Sequence, residues 1–401
     1  MSKDYSYIER FKRLGFGMYV HFGLYSVAGQ GEWHQYTHRV PSEEYKKLVN
    51  RFNIKKNWAK ELVKAAKSAG CKYITITTRH HDGFSLYDTC GLNEYDAPHS
   101  KTGRDLICEF VDECNKADIL PCFYHTLLDW DHPDYNTNFP SYIDYLVKSI
   151  EILCTRYGKI GGFEFDGMWD KPDADWQEDR LYGTIRKYQP EAMIINNTGL
   201  SRLGEVGHPE IDSVTFERGK PFEVRSDGKP LAGEMAQVLN DHWGYAKEDI
   251  NYKRPSEIIE NLLDCRAANC NFLLNIGPMG NGSIRPIDAA YLSEIGLFVK
   301  KTKGFIYNSR RAEITADGAD VLTDGKYYYA VIKGVPMKSN PNVALAYAES
   351  CKVTINTDKK VKMARWLDNG RAQKISKNSF SVTPFAYGAS HSARVLRFEL
   401  E

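Results

Sequence analysis

The stretch "GGFEFDGMWD", residues 161–170, places Glu164, Asp166 and Asp170 in or just beyond an apolar segment set by Phe163 and Phe165. Burying charge there is expensive unless the charge has a task. A further acid, Glu217, ends "DSVTFE", residues 212–217. Polar and aromatic residues recur at the ends of other apolar runs: His21, His80 and His81, Tyr124 with His125, and Trp243 in "NDHWGY". An Asp and a Glu on two different strand ends are what retaining glycoside cleavage needs. One carboxylate attacks the anomeric carbon, and the other, held protonated, donates to the leaving oxygen from about 5 Å away. Aromatic rings suit the C–H faces of a sugar, and imidazoles suit its hydroxyls.

Elements that would gather these residues are legible. Runs with β-propensity at residues 16–23, 72–78, 119–126, 162–167, 192–197, 212–217, 235–240 and 271–277 alternate with helical patterns. "NWAKELVKAAKSAG" and "PSEIIENLLDCRAANC" carry the apolar spacing and terminal breakers of amphipathic helices. Eight strands interleaved with helices predict a parallel (β/α)8 TIM-like barrel, whose active sites lie at the carboxyl ends of the strands. The expected barrel domain spans residues 1–306. From residue 307 to 401 the texture changes to short alternating segments, "YYYAVIKG", "VALAYA", "CKVTIN" and "ARVLRFEL", with turn signals between them. That pattern predicts a small antiparallel β-sandwich.

Composition narrows the partners. With 53 basic and 52 acidic residues the formal net charge is +1, so nucleic acid and anionic membrane surfaces are not expected partners. No segment approaches the length of a membrane span and the first residues lack a signal-peptide pattern, which predicts a cytoplasmic protein. Nine scattered cysteines fit reduced structural thiols better than a disulfide framework or a zinc site. Oligomeric state is not readable.

Six ordered blocks, "FGMYVHFGLYSV", "GEW", "TTRHHDGFSLYD", "FYHTLLDW", "FDGMW" and "NFLLNIGPMGNGSI", resemble glycoside hydrolase family 29, the retaining α-L-fucosidases, over residues 10–305. The resemblance implies an exo-acting double-displacement enzyme that removes terminal α-L-fucosyl residues from oligosaccharides or glycoconjugates, without cofactor or metal. It puts the nucleophile at Asp166 and the acid/base at Glu217. It also implies a sugar pocket of Tyr19, His21, Glu32, Trp33, His80, His81, Tyr124 and Trp243.

Two positions depart from the family pattern. Glu164 stands where a Trp is usual, and by strand alternation it shares the face of Asp166, one step deeper. A second carboxylate there predicts an Arg, Lys or His partner, or a direct part in binding substrate. After strand five, Thr198 stands where some members have an Arg, with Arg202 nearby. Two other readings stay open. One is a metal-dependent hydrolase, which the adjacent His80 and His81 argue against, because neighbours on a strand point apart. The other is a barrel that binds sugar without turnover, or one of altered specificity such as α-L-galactoside recognition.

Overall fold

The structure is a computed structural model that describes residues 4–200, 202–225, 228–338, 342–343 and 351–401. Eight parallel strands close into a barrel in sequential order: β1 (Phe16–Val20), β2 (Tyr73–Arg79), β3 (Leu120–Thr126), β4 (Gly162–Asp166), β5 (Met193–Asn196), β6 (Ser213–Glu217), β7 (Ala232–Val238) and β8 (Asn271–Ile276). Closure is direct, with Tyr19 of β1 in register with Asn275 of β8.

Alternation along the strands divides the core in two. Outward residues such as Met18, Ile74, Phe163 and Phe165 join the shell between sheet and helices. Helix Trp58–Ala69 contributes Trp58, Leu62, Val63 and Ala66 to it and stops at Gly70, whose φ of 94° suits glycine. Inward residues, among them Tyr19, Tyr73, Tyr124 and Leu273, form a separate interior cluster. Tyr7, Ile8 and Phe11 of helix Ser6–Lys12 belong to that interior cluster, so this helix plugs the amino-terminal end of the barrel. Tyr7 anchors the plug by donating to Asp212 Oδ1 at 2.8 Å. The opposite, carboxyl end stays open.

The seventh strand begins three residues earlier than its expected start at residue 235, and this brings Glu234 into the barrel wall. β1 and β2 end at Val20 and Arg79, so His21, His80 and His81 lie just past their strands. After the last barrel helix, Pro286–Lys301, the chain forms two antiparallel sheets. One has three strands, β10 (Thr315–Asp317), β13 (Cys351–Asn356) and β15 (Ser379–Val382). The other has five: β9 (Arg310–Arg311), β11 (Asp320–Thr323), β12 (Tyr328–Lys333), β14 (Val361–Trp366) and β16 (Ala393–Leu400). Val353, Phe380, Trp366 and Phe398 share the core between the sheets, while Leu322, Tyr329 and Val395 join the shell of the barrel. The expected strand "VALAYA" lies, from residue 344 on, outside the described residues.

Candidate active site

β4 carries the first carboxylate. Its outward Phe163 and Phe165 fix the strand in the shell, so Glu164 and Asp166 turn into the barrel. Gly167 then takes a φ of 101°, and a Cβ there would lie 2.6 Å from Leu128 Cβ, so the turn that presents Asp166 requires glycine. Tyr124 of β3 donates to Asp166 Oδ2 at 3.0 Å, and the Trp169 indole donates to Oδ1 at 3.0 Å. Burial pushes the Asp166 pKa up, and these donors pull against the rise.

Glu217 ends β6 across the opening. Burial raises its pKa first, and the charge of Asp166 adds to the rise. Asn197 Nδ2 donates to Glu217 Oε2 at 3.1 Å, and the Trp243 side chain and Arg218 also favour the ionised form. The two acids thus sense each other across one space, and each is held by neutral donors.

The histidines are neutral. Burial depresses His21 and His81 to about 3 and His80 well below its usual value. Their tautomers follow from their partners. Asn275 donates Nδ2 to the Trp243 carbonyl at 2.7 Å, which turns its Oδ1 toward His21 Nδ1 at 2.8 Å. His21 therefore carries its proton on Nδ1 and presents Nε2 as an acceptor. Thr126 donates its hydroxyl to the Leu128 carbonyl and so accepts from His81 Nδ1 at 2.6 Å. His81 Nε2, again an acceptor, sits 3.5 Å from Asp166 Oδ2.

Loops complete the wall. Glu32 is buried and accepts from the Gly244 amide at 2.7 Å, and burial raises its pKa. Trp33 packs edge-on against His81 and stacks on Trp169, with centroids 5.4 and 6.1 Å away. The eleven residues that the sequence reading assigns to the site, from Tyr19 to Trp243, line one cavity of about 670 Å³ at the open end of the barrel, a volume that suits a small ligand.

Several expectations need correction. Glu164 has no cationic partner among the described residues: Thr215 donates to it at 3.3 Å, the Tyr19 hydroxyl favours its ionised form, and its charged neighbours are Glu234, Asp166 and Glu217. His80 and His81 do not diverge, because they lie on the turn beyond β2 with ring centroids 4.2 Å apart, and both face the cavity. His125 points away from it and meets Thr78 at 2.8 Å. Asp170 accepts from Tyr135 at 2.7 Å and lies outside the cavity wall. Arg202 is also absent from that wall and lies 3.8 Å from Glu205.

Trp169, Asn197, Arg218 and His242 line the cavity without having been singled out. Trp169 was in view within "FDGMW", but no pattern rule gives a Trp three residues past an acid the task of donating to it. Arg218 stacks on Trp243 at 5.0 Å, a contact between two loops that sequence spacing does not encode.

Two facing carboxyls, neutral imidazoles and aromatic walls at the carboxyl ends of barrel strands define an arrangement of the glycosidase class. The chain belongs to the alpha-L-fucosidase family, whose model matches residues 2–304. A putative alpha-L-fucosidase of Caenorhabditis elegans is 27% identical over 327 residues, which span 74% of this chain and 65% of that protein. The tissue alpha-L-fucosidase of Mus musculus is 27% identical over 345 residues, 75% of this chain and 71% of that one. The structure of alpha-L-fucosidase isoenzyme 1 from Paenibacillus thiaminolyticus superposes with a TM-score of 0.85 at 30% identity, covering 98% of this chain and 99% of that one. A family 29 alpha-L-fucosidase from Bacteroides thetaiotaomicron shares the fold, with a TM-score of 0.85 at 23% identity over 100% and 96% of the two chains.

Proposed function

We propose that this protein is a retaining α-L-fucosidase that hydrolyses terminal α-L-fucosyl residues, with Asp166 as nucleophile and Glu217 as acid/base. The observation that carries the reading is the facing pair itself, with Asp166 held by Tyr124 and Trp169 and Glu217 by Asn197. Ionised Asp166 attacks the anomeric carbon while protonated Glu217 gives its proton to the glycosidic oxygen, and the aglycone leaves as an alcohol. The fucosyl group is then an ester of Asp166 with inverted configuration. Glu217, now a carboxylate, takes a proton from water as the water displaces Asp166, and the second inversion restores the α configuration. His21 and His81 offer bare Nε2 atoms to two sugar hydroxyls, and the buried Glu32 offers another acceptor. Tyr19, Trp33, His80, Tyr124 and Trp243 supply the rest of the wall, and no step needs a metal.

The nine cysteines are unpaired, which supports a reducing, cytoplasmic setting and a barrel of residues 1–306 that does without disulfides. Two rival outcomes, sugar binding without turnover and α-L-galactoside specificity, are separated by one assay. An aryl α-L-fucoside should be cleaved with α-L-fucose as the first-formed anomer by NMR. Asp166→Ala should lose several orders of magnitude in turnover. Glu217→Ala should slow natural fucosides far more than activated aryl fucosides, and azide should restore the rate of the latter and give α-L-fucosyl azide. Full activity of Asp166→Ala, or β-L-fucose appearing first, would end this reading.

A further inference from the structure

At the cavity floor and just beneath it the barrel encloses a second pair of acids that this mechanism does not use, Glu164 in the floor and Glu234 outside the cavity wall. Glu164 lies two residues before Asp166 on β4, one strand step deeper, and Glu234 lies on β7. Both are fully enclosed, with the helix Ser6–Lys12 plug below and Asp166 above. Thr215 of β6 links them, since it donates to Glu164 Oε1 and stands in register with Glu234. Tyr73 donates to Glu234 Oε2 at 2.7 Å. The other oxygen of each acid, Glu164 Oε2 and Glu234 Oε1, has no hydrogen-bond partner among the described residues.

Among the described residues, no cation acts on either acid of the pair. The titratable groups around the pair are Tyr19 from β1, Tyr73 from β2, Cys122 and Tyr124 from β3, Asp166 on β4, Glu217 on β6 and Cys270 ahead of β8. Each is neutral or negative at neutral pH, and β5 presents only Met193 and Ile195 to the interior. Ionising both of these buried, mutually repelling carboxylates would leave two charges uncompensated in the interior.

We propose that Glu164 and Glu234 hold one proton between Oε2 and Oε1, and that the single negative charge of this pair, beneath Asp166, sets the pH range over which Asp166 and Glu217 work. One shared proton gives both orphaned oxygens their partner. The remaining charge is met by the Thr215 and Tyr73 hydroxyls that already donate to the outer oxygens. Burial raises the pKa of Glu164 well above its usual value and that of Glu234 to about 7, in keeping with a proton retained at neutral pH. The pair titrates as a unit. Its residues act on the reaction through the field at Asp166 and Glu217, so they are positioning residues.

The kinetic half of this proposal rests on the roles given to Asp166 and Glu217; the proton does not. Infrared spectra at pH 7 read the proton directly. The wild type minus Glu164→Gln difference should carry a carboxylic-acid C=O band, because the amide of the variant can donate to Glu234 and leave it ionised. Absence of that band would overturn the shared proton. Kinetically, the double variant Glu164→Gln/Glu234→Gln removes the charge, so Asp166 and Glu217 both ionise more readily. Both limbs of the kcat/KM profile should then move to lower pH by about one unit, the order expected of a like charge one strand step away. Glu164→Gln alone leaves the charge on Glu234 and should move the limbs by less than half as much. A pair with only a packing role would lower kcat/KM at every pH and leave the limbs in place, which would overturn the electrostatic role. Full activity of Asp166→Ala would instead sink the assigned roles while leaving the infrared result standing.

Discussion

Asn197 isolates what tunes the proposed proton donor. Its Nδ2 donates to Glu217 Oε2, a bond that favours the carboxylate and opposes the rise that burial imposes. Asn197→Ala removes the donor, so Glu217 should hold its proton to higher pH. The alkaline limb of kcat/KM should move upward by about half to one unit, as loss of one hydrogen bond to a charged group implies, with little change in the acidic limb. A downward shift would mean that Asn197 acts in some other way. Residues of this kind divide by whether their partners are local. Asp166, Glu217 and the cavity-lining His21, His80 and His81 stand out in the sequence because acids and imidazoles at strand ends are costly without a task. Asn197 and Arg218 were not, because their roles depend on a contact with a neighbouring strand or loop. Of the two expectations for Glu164, a cation or a part in binding substrate, the cation is not found among the described residues, for a related reason. Proximity of like charges was read correctly, but a shared proton is another way to relieve it, and one sequence does not say which the interior provides.

Among the elements, β4 and the turn after it position the reaction most tightly. Gly167→Ala would put a side chain on a residue at φ 101° and drive its Cβ to 2.6 Å from Leu128 Cβ. It should destabilise the protein by about 2 kcal/mol or more, read as a lower denaturant midpoint at constant slope. It should also cost turnover at saturating substrate, since Asp166 would shift. An unchanged midpoint would show that the turn relaxes freely. Strands rich in β-branched and aromatic residues, such as "YITITTR" of β2, were recognisable from composition alone. The start of β7 was hidden because "AGE", residues 232–234, has neither β-branching nor alternation. Gly233 is there for room, as a Cβ would lie 2.8 Å from Cys270 Sγ. That hidden turn of strand contains Glu234, which is why the lower acid pair could not be foreseen. The histidine pair was misjudged by the length of β2, since the rule that neighbours diverge fails one residue beyond the strand end.

At the scale of the whole molecule the barrel works as a vessel closed at one end. Helix Ser6–Lys12 seals the bottom, the eight strands deliver the acids upward, and the loops after them supply Glu32, Trp33, His80, His81 and Trp243. The C-terminal sheets brace the shell through Leu322, Tyr329 and Val395, and none of their described residues lines the cavity. A change of texture near residue 306 is where the sequence leads one to expect the barrel to end, whereas the contact of Leu322, Tyr329 and Val395 with the shell has no such signal, because packing partners carry no periodic signature. The central claim is that Asp166 becomes covalently fucosylated, and a 2-deoxy-2-fluoro-α-L-fucosyl fluoride tests it most directly. Fluorine beside the anomeric carbon slows both steps, while the fluoride leaving group keeps the first one fast enough for the ester to accumulate. Mass spectrometry of the intact chain should show one added deoxyfluorofucosyl group, located by peptide mapping at Asp166 and absent from Asp166→Ala. A label on Glu217 or Glu164, or steady hydrolysis of aryl fucosides with no label on any carboxylate, would contradict it.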